Sequence, residues 1–568
     1  MNLRLIPTRR IVDEDEYGNF VPTDSNQQLI SKSSSNDSKG KEDVTDGIEV
    51  KSIIDEEPSL EYRDEKDRKW WKFFDEYEYR VNRNTQSKKK WYKWFHEDDT
   101  PEERKLILKM DLILTVYSMM AYFVKYLDQA NITNAYVGGL KEGIHMQGND
   151  FIDTQIMYIL GNVLLQLPLM YVFYAVPLTY VLPPVEIGWS VCTILTSQVK
   201  NVPQLKALRF LVGAFEAPFF TGFHVLFQSW YRGSTGELAR RAGFYYIGQY
   251  LGVLTSGLLS GAIVRGMEGV GGYAAWQWIF IIDGLISIFI AILGFYMIPG
   301  TPQDCYSVFL TDNDIRVARS RMKKDQKAFM PRENVVKYFF DKQVWIKIFT
   351  SWETYIVALW CAFFWNNGNI NSGAYALWLK SLKNDRGEPR FGPGELQDYT
   401  ALTPALAIVW LILICGFADL FSCRWGAIVI AQVFNMLGNV ILAIWHVPEG
   451  AKWFAFMLQY FSLSMSSVLY TWQGDIYRKD VRMRQVVLVS MNMFAQSTTA
   501  WTSKLVWKTA EGPRFLKGYS FAAVCSFALC VFTLIVLYIY KRQERRDARE
   551  NGIVLYNSSS DTDGDQKS

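Results

Sequence analysis

Two apolar segments of the chain carry charged side chains whose types could do chemistry. Lys125, Asp128 and Gln129 lie at the end of one segment, and Arg209 and Glu216 lie seven residues apart in another. A charge inside an apolar segment is costly to bury, so these residues are candidates for a functional site. A fixed cation can hold a carboxylate, and a partly desolvated glutamate can carry a proton. The pattern predicts coupling of an anion to a proton, with an internal salt-bridge network as the alternative.

The spacing within each set has a defined geometry if both segments are helices. Lys125 and Gln129 are four residues apart and share a helix face, with Asp128 also within reach. Arg209 and Glu216 are two turns apart, so they face the same way about 10 Å apart along the axis. We expect Arg209 at a depth similar to that of Lys125, and Glu216 deeper. Glu216 and Asp128 are the predicted proton carriers, and Arg209 and Lys125 are the predicted anion-binding cations.

Polar residues further along the chain are mainly uncharged amides near aromatic rings. Such groups suit the neutral part of a solute, although aromatic residues are also common at membrane interfaces. We predict further substrate contacts from two amides of the first segment and from four later residues: Gln129, Asn131, Trp365, Asn366, Asn367 and Asn492. Three more acids in apolar segments fit a functional or a structural role equally well: Glu186, Asp283 and Glu353.

Apolar runs of membrane-spanning length must position these residues. About 20 residues cross a hydrocarbon core of roughly 30 Å. Backbone groups in lipid must be satisfied within the protein, which favours helices. The sequence therefore predicts an all-α membrane protein with twelve spans, numbered in chain order, near residues 108–130, 152–173, 178–198, 205–229, 242–264, 276–298, 345–366, 397–420, 425–446, 450–473, 486–507 and 518–540.

Charge is distributed unevenly along the chain. Charged residues are 21% of the whole, yet they concentrate in the N-terminal segment, which rules out a uniformly globular chain. Basic residues in the longest loop and beside the outermost spans place both termini in the cytoplasm. The predicted parts are a disordered cytosolic tail with an aromatic and basic interfacial segment, a six-helix half, a cytoplasmic linker, a second six-helix half and a cytosolic tail: 1–104 (interfacial segment 68–95), 105–298, 299–344, 345–540 and 541–568.

Several function classes are disfavoured by the sequence. A net charge of +3 gives no reason to expect a nucleic-acid partner. Seven widely spaced cysteines do not suggest a disulfide framework, and four scattered histidines do not suggest a metal site. The chain has no phosphate-binding P-loop, no nucleophile elbow and no zinc-binding His-Glu-x-x-His motif. We therefore expect no enzyme activity and no cofactor, and the energy for transport must come from an ion or solute gradient.

Motifs in and between the predicted spans match a known family. Residues 128–136, Arg209 with Glu216, residues 229–231 and residues 276–283 resemble the fungal anion:cation symporter (allantoate permease) branch of the major facilitator superfamily. Four segments outside the predicted spans resemble the yeast biotin (vitamin H) proton symporters of that branch: 68–82, 305–312, 374–381 and 551–556.

This resemblance implies both a fold and a function. The implied fold has about twelve transmembrane helices in two six-helix halves, with both termini cytoplasmic. The implied function is import of biotin with protons by a monomeric multi-pass protein of the plasma membrane, so the partners are biotin, protons and the lipid bilayer. Pantothenate or another monocarboxylate, such as allantoate or nicotinate, is the alternative substrate. A nutrient sensor that binds without transporting is the alternative from another class.

The chain departs from the family pattern at three places. The branch usually has an Asp-Arg pair after the first span, and Gln129 stands in place of that arginine. Related anion carriers use this arginine on the substrate, so we hypothesise that Lys125, one turn earlier on the same face, supplies the cation instead. The charged loop that usually follows the second span is replaced by residues 175–178, which carry no charge, and Gln277 replaces an arginine that opens the sixth span.

Overall fold

The computed structural model describes the helical body of the chain and short parts of its tails: residues 7–10, 60–63, 79–81, 94–95, 99–232, 237–324, 342, 346, 349–368, 373–421, 423–477, 481–508, 511–550 and 554–556. The disorder predicted for residues 1–104 therefore falls mostly outside the described residues. The same holds for the interfacial segment at 68–95, of which Tyr79–Val81 and Trp94–Phe95 are described.

Helices lie at all six positions predicted before the linker. The first span comprises Pro101–Met110 and Val116–Ala135, which are joined by a π-helical stretch, Asp111–Thr115. It begins with a capping box, because the Thr100 hydroxyl accepts from the backbone of Glu103 and the Glu103 carboxylate accepts from the backbone of Thr100. The second to sixth spans are Asp150–Ala175, Leu178–Thr196, Val202–Trp230, Glu237–Gly266 and Ala275–Met297.

Helices also lie at the positions predicted after the linker, with two differences. The described helix of the seventh span begins at Trp352 rather than near residue 345. The tenth span is divided into three helices instead of one. The linker carries the helix Asp312–Lys324, and the short helix Ala374–Ser381 follows the seventh span. The seventh to twelfth spans are Trp352–Asn366, Pro393–Leu420, Arg424–Ile444, the tenth span (Glu449–Leu458, Phe461–Ser464 and Ser466–Ile476), Val481–Val506 and Leu516–Glu550.

Length and composition make many of these helices suitable for crossing a bilayer. Within the described part of the chain, eight helices are long and apolar enough to span a membrane, and Thr354–Asn366 is a shorter apolar helix. The helix of the twelfth span continues to Glu550, past the predicted end of the span at residue 540. These observations confirm an all-helical, multi-pass body.

The two terminal segments contribute a small sheet to the described structure. Strands β1 (Leu60–Arg63) and β2 (Tyr79–Val81) pair antiparallel, with Leu60 opposite Val81. Strand β3 (Val554–Tyr556) pairs parallel with β1, so the order is β2-β1-β3. The sheet therefore links the N-terminal segment to the C-terminal one.

Two close helix contacts position the polar residues of the first half. A Cβ atom added at Gly248 of the fifth span would lie 2.2 Å from the Met119 carbonyl oxygen of the first span. A Cβ atom added at Gly213 of the fourth span would lie 2.0 Å from the Tyr158 carbonyl oxygen of the second span. Both distances are too short for any side chain, so glycine allows these helix pairs to touch. The second contact brings Tyr158 against the fourth span, beside Glu216.

Candidate functional site

Lys125 and Glu216 form a buried ion pair between the first and fourth spans. Lys125 Nζ lies 3.5 Å from Glu216 Oε2, and their side chains are 7% and 0% exposed. The same oxygen accepts hydrogen bonds from the Tyr158 hydroxyl at 2.6 Å and from Gln129 Nε2 at 3.0 Å. Gln129 Nε2 also donates to the Tyr158 hydroxyl. One carboxylate oxygen therefore receives a cation and two neutral donors, while Glu216 Oε1 has no hydrogen-bond partner among the described residues.

Arg209 and Asp128 form a second buried pair between the same two spans. Arg209 Nη1 lies 3.6 Å from Asp128 Oδ1, and the Thr193 hydroxyl donates to Asp128 Oδ2 at 3.0 Å. The Arg209 guanidinium lies 5.7 Å from the centre of the Phe280 ring. Its Nε and Nη2 atoms have no hydrogen-bond partner in the described part of the chain. The guanidinium therefore keeps donors that a planar carboxylate could use in a bidentate way.

These contacts correct the depth expected for the two cations. Arg209 lies beside Asp128, and Glu216 is the acid that reaches Lys125. The first and fourth spans run in opposite directions, so the later residue on one lies beside the earlier residue on the other. The result is two layers, each with one cation and one carboxylate, rather than two cations at one depth.

Asp283 forms a third buried acidic position. The Asn131 amide donates to Asp283 Oδ2 at 2.9 Å, and the Ser256 hydroxyl donates to Asn131 Oδ1 at 2.7 Å. No lysine or arginine among the described residues lies within ion-pair distance of Asp283, and its side chain is fully buried. The predicted substrate contact Asn131 is thus engaged with the fifth and sixth spans.

The predicted second-half amides divide into two groups. The Asn366 amide donates to the Thr498 hydroxyl at 2.9 Å, and the Asn367 amide donates to Gln432 Oε1 at 3.0 Å, so both are tied within the second half. Trp365 Nε1 donates to the Tyr470 hydroxyl at 3.0 Å, which donates to Asn492 Oδ1 at 3.1 Å.

Tyr470 brings that second group to the boundary between the halves. Its ring centre lies 5.0 Å from that of Phe220 in the fourth span. Of the predicted second-half contacts, Trp365 and Asn492 are therefore linked to the first half through one tyrosine. Asn366 and Asn367 instead form hydrogen bonds with other residues of the second half.

Sequence reasoning missed two residues that contact the buried acids. Tyr158 donates to Glu216 and Thr193 donates to Asp128. Both are uncharged residues in apolar helices, so neither carries the charge signal that identified the acids. The one available signal for Tyr158 is a hydroxyl in an otherwise apolar span, which is common and therefore weak.

Comparison with known proteins gives a consistent family assignment. Residues 118–503 match the family model described as Major Facilitator Superfamily. The chain is 34% identical to the vitamin H transporter of Saccharomyces cerevisiae, over 97% of this chain and 93% of that one. It is 28% identical to the pantothenate transporter liz1 of Schizosaccharomyces pombe, over 78% and 84% of the two chains.

A solved structure supports the fold independently. The proton:xylose symporter XylE, bound to 6-bromo-6-deoxy-D-glucose, superposes with a TM-score of 0.59 at 12% identity. The superposition covers 76% of this chain and 96% of that one. At this identity the likeness concerns the fold alone.

Proposed function

Because the chain belongs to the Major Facilitator Superfamily, a family of transporters rather than enzymes, we propose that it imports biotin (vitamin H) together with protons. The likeness to a vitamin H transporter along nearly the full length of both chains supports the substrate. The proposed coupling to protons is supported by two buried ion pairs, Lys125 with Glu216 and Arg209 with Asp128.

The two ion pairs give a physical route for coupling. Biotin is an anion at neutral pH through its valerate carboxylate. When the cation of an ion pair binds this carboxylate, the acid with which it was paired loses its counter-charge. An ionised carboxylate is strongly disfavoured in a buried site without a cation, so the freed acid takes up a proton. One anion and one proton therefore enter together without adding net charge to the layer.

Either layer can perform this exchange. Arg209 has unused donors for a carboxylate, and Asp128 is the acid that it would release. Lys125 holds Glu216, which Tyr158 and Gln129 also contact. We propose Glu216 and Asp128 as the proton carriers and Arg209 and Lys125 as the anion-binding cations. The uncharged part of the substrate would pass along the predicted contact residues, which are Gln129, Asn131, Trp365, Asn366, Asn367 and Asn492.

The proposed transport cycle follows from the division of the body into two six-helix halves. Two six-helix halves, at about 105–298 and 345–540, would rock around a site near the midplane and expose it to each side in turn. The tails and the linker at 299–344 would lie in the cytoplasm, and the protein would act as a monomer in the plasma membrane. Proton release to the less acidic cytoplasm would restore each ion pair and expel the carboxylate.

A pantothenate carrier is the second candidate function. The likeness to a pantothenate transporter over most of both chains supports it. Pantothenate is also a monocarboxylate, so the same two cations would suit it. A sensor that binds a nutrient without moving it has no comparable support.

Uptake of labelled biotin into transporter-null yeast cells tests the proposal. The full chain should concentrate biotin, a protonophore should abolish the concentration, and excess pantothenate should compete weakly. Uptake of pantothenate in place of biotin would favour the second candidate. Binding without net uptake would favour the sensor.

A further inference from the structure

His224 is a buried histidine that the ion-pair mechanism does not use. It lies on the fourth span, eight residues after Glu216, with 4% of its surface exposed. Its ring centre lies 4.2 Å from Phe220, 5.8 Å from Tyr245, 6.3 Å from Tyr246 and 5.7 Å from Tyr470. His224 therefore lies where the fourth and fifth spans of the first half meet the tenth span of the second.

The hydrogen bonding of His224 fixes which nitrogen carries the proton. Nδ1 lies 2.9 Å from the Phe220 carbonyl oxygen. A carbonyl oxygen only accepts, so Nδ1 is the donor. The ring forms no ion pair with an acid in the described part of the chain, which assigns the neutral tautomer. Nε2 is then a hydrogen-bond acceptor, and it is buried without a partner among the described residues.

Two tyrosines in contact with His224 also have buried hydroxyls without hydrogen-bond partners among the described residues. The Tyr245 and Tyr246 side chains are 0% and 2% exposed, and their hydroxyls lack a hydrogen-bond partner among the residues described. Each hydroxyl can donate as well as accept. Polar atoms buried in a native protein almost always have partners. The rings of His224, Tyr245 and Tyr246 lie with their centres 5.6 to 6.3 Å apart, so one acceptor and two hydroxyl donors without partners occur in one cluster. This cluster therefore indicates a ligand with the complementary groups.

The aromatic cluster leads from this point to the Lys125 layer. Tyr245 stacks on Tyr122 with ring centres 3.9 Å apart, and Tyr122 packs on Tyr126 at 4.9 Å. Tyr126 follows Lys125 directly in the first span. Apolar ring faces between a cation and a group of polar atoms suit a ligand with a charged end, an apolar middle and a neutral polar end.

Distances along the fourth span, calculated from the rise per residue, show which cation such a ligand can reach. Glu216, which marks the Lys125 layer, lies about 12 Å from His224 along the helix, whereas Arg209 lies about 22 Å away. A bicyclic ring with a five-carbon acid chain reaches on the order of 10 Å when extended, judged from ordinary bond lengths. A ligand of this length whose neutral end lies at His224 therefore places its carboxylate at Lys125.

We propose that His224 Nε2 and the hydroxyls of Tyr245 and Tyr246 bind the neutral end of the substrate, a cyclic urea or amide that offers N–H donors and a carbonyl acceptor. The inference rests on the proposed function, in which the ureido ring of biotin is this group. His224 Nε2 accepts from a ureido N–H, and the tyrosine hydroxyls donate to the ureido oxygen. Lys125 holds the carboxylate of the same molecule, so Glu216, the acid paired with Lys125, takes up the coupling proton in this arrangement.

Two carboxylates, labelled biotin as substrate and lipoate as inhibitor, distinguish recognition of the ring from recognition of the acid. Biotin carries a ureido ring, whereas lipoate has a similar acid chain on a dithiolane ring without N–H or carbonyl groups. Half-saturation for biotin uptake, and inhibition of that uptake by lipoate, are measured in transporter-null cells that express the full chain. The variants are His224→Phe, Tyr246→Phe and His224→Gln. Tyr519→Phe is the matched control, because Tyr519 is equally buried with an unpartnered hydroxyl, outside this cluster.

His224→Phe should raise the half-saturation concentration for biotin about tenfold or more, while the inhibition constant of lipoate changes less than about twofold. His224→Gln, which returns an acceptor, should recover part of the loss, and Tyr246→Phe should act in the same direction as His224→Phe. Tyr519→Phe should leave both values unchanged. Surface abundance of each variant is measured with a fluorescent fusion.

The outcomes separate this inference from the proposed function. Wild-type protein that does not take up biotin overturns the proposed function and, with it, the assignment of the ureido ring. Wild-type uptake with an unchanged half-saturation in His224→Phe and Tyr246→Phe overturns the inference alone. An equal loss of affinity for biotin and lipoate also overturns it, because that result reports packing rather than recognition of the ring.

Discussion

Lys125 Nζ lies 3.5 Å from Glu216 Oε2, with both side chains buried between the first and fourth spans. This pair supplies a cation on the helix face where the related branch usually carries an arginine, one turn later in the sequence. Because Glu216 depends on Lys125 for its counter-charge, an anion that takes Lys125 leaves Glu216 to bind a proton. In the proposed mechanism, anion binding to Lys125 and proton binding to Glu216 are therefore linked through this ion pair.

Replacing Lys125 should weaken biotin uptake far more than replacing its neighbour on the same face. Lys125→Ala removes the cation and leaves Glu216 buried with neutral donors only, so the half-saturation concentration should rise about tenfold or more. Gln129→Ala removes one neutral hydrogen bond to Glu216 and should have a several-fold smaller effect. Concentration-dependent uptake of labelled biotin measures both. Equal effects of the two variants would contradict the assignment of Lys125.

Glu216→Gln should separate exchange from accumulation. The amide cannot carry the coupling proton, so labelled biotin should still exchange across the membrane but should no longer be concentrated. Glu186→Gln is the matched control, because Glu186 is as buried as Glu216 but is bonded to the Tyr117 hydroxyl at 3.0 Å, away from either cation. Counterflow and net uptake in reconstituted vesicles measure the two activities. Accumulation by Glu216→Gln at the wild-type level would remove Glu216 from the coupling route.

The buried pair of Arg241 and Asp111 should contribute strongly to stability. Arg241 Nε and Nη2 lie 2.8 and 2.9 Å from the two Asp111 oxygens, Arg241 is fully buried, and Trp94 Nε1 donates to Asp111 at 2.8 Å. Arg241→Gln should lower the free energy of unfolding by about 3 kcal/mol, because it leaves a largely buried acid without its cation. Thermal unfolding of the purified protein in detergent measures this loss.

An exposed ion pair provides the control for that stability measurement. Arg390 Nη1 lies 2.8 Å from Glu449 Oε1, but the two side chains are 45% and 46% exposed. Arg390→Gln should therefore change the free energy of unfolding by less than about 1 kcal/mol. A loss as large as that of Arg241→Gln would show that the burial of the first pair does not determine its contribution.

Lys504 and Asp153 join the second and eleventh spans across the two halves, and their contribution should be small. Lys504 Nζ lies 3.5 Å from Asp153 Oδ1, with side chains 57% and 35% exposed, and Lys206 lies 3.4 Å from Asp153 Oδ2. Exposed pairs contribute about 0–1 kcal/mol, and salt screens them. Lys504→Gln should therefore change biotin uptake less than about fivefold, with less difference from wild type at high salt. Complete loss of uptake would make this pair an essential contact between the halves.

The positions of the helices could be predicted from sequence because bilayer thickness imposes a length on each apolar run. The divisions of the tenth span near residues 459 and 465 could not be, since hydropathy does not register a local break. The four buried charges of the first and fourth spans were identified by their type. Their pairing was not, because it depends on how antiparallel helices align along their axes.

The uncharged part of the candidate site was the least predictable from sequence. The sequence predicts that Asn366 and Asn367 contact the substrate, yet each donates a hydrogen bond to another residue of the second half. Tyr158 and His224 belong to no charge pattern that the sequence would reveal. The structure identifies Tyr158 by its hydrogen bond to Glu216, and His224 by a buried Nε2 without a partner among the described residues. Whether a neutral polar residue is satisfied depends on its neighbours in space, and one sequence does not specify them.

Biotin accumulation in vesicles that contain only this protein tests proton-coupled import most directly. The purified full chain is reconstituted, a pH gradient is imposed, and labelled biotin is followed inside. Accumulation should occur only when the interior is more alkaline than the outside, and a protonophore should release it. Equal accumulation with and without the gradient, or none in either case, would contradict proton-coupled import of biotin.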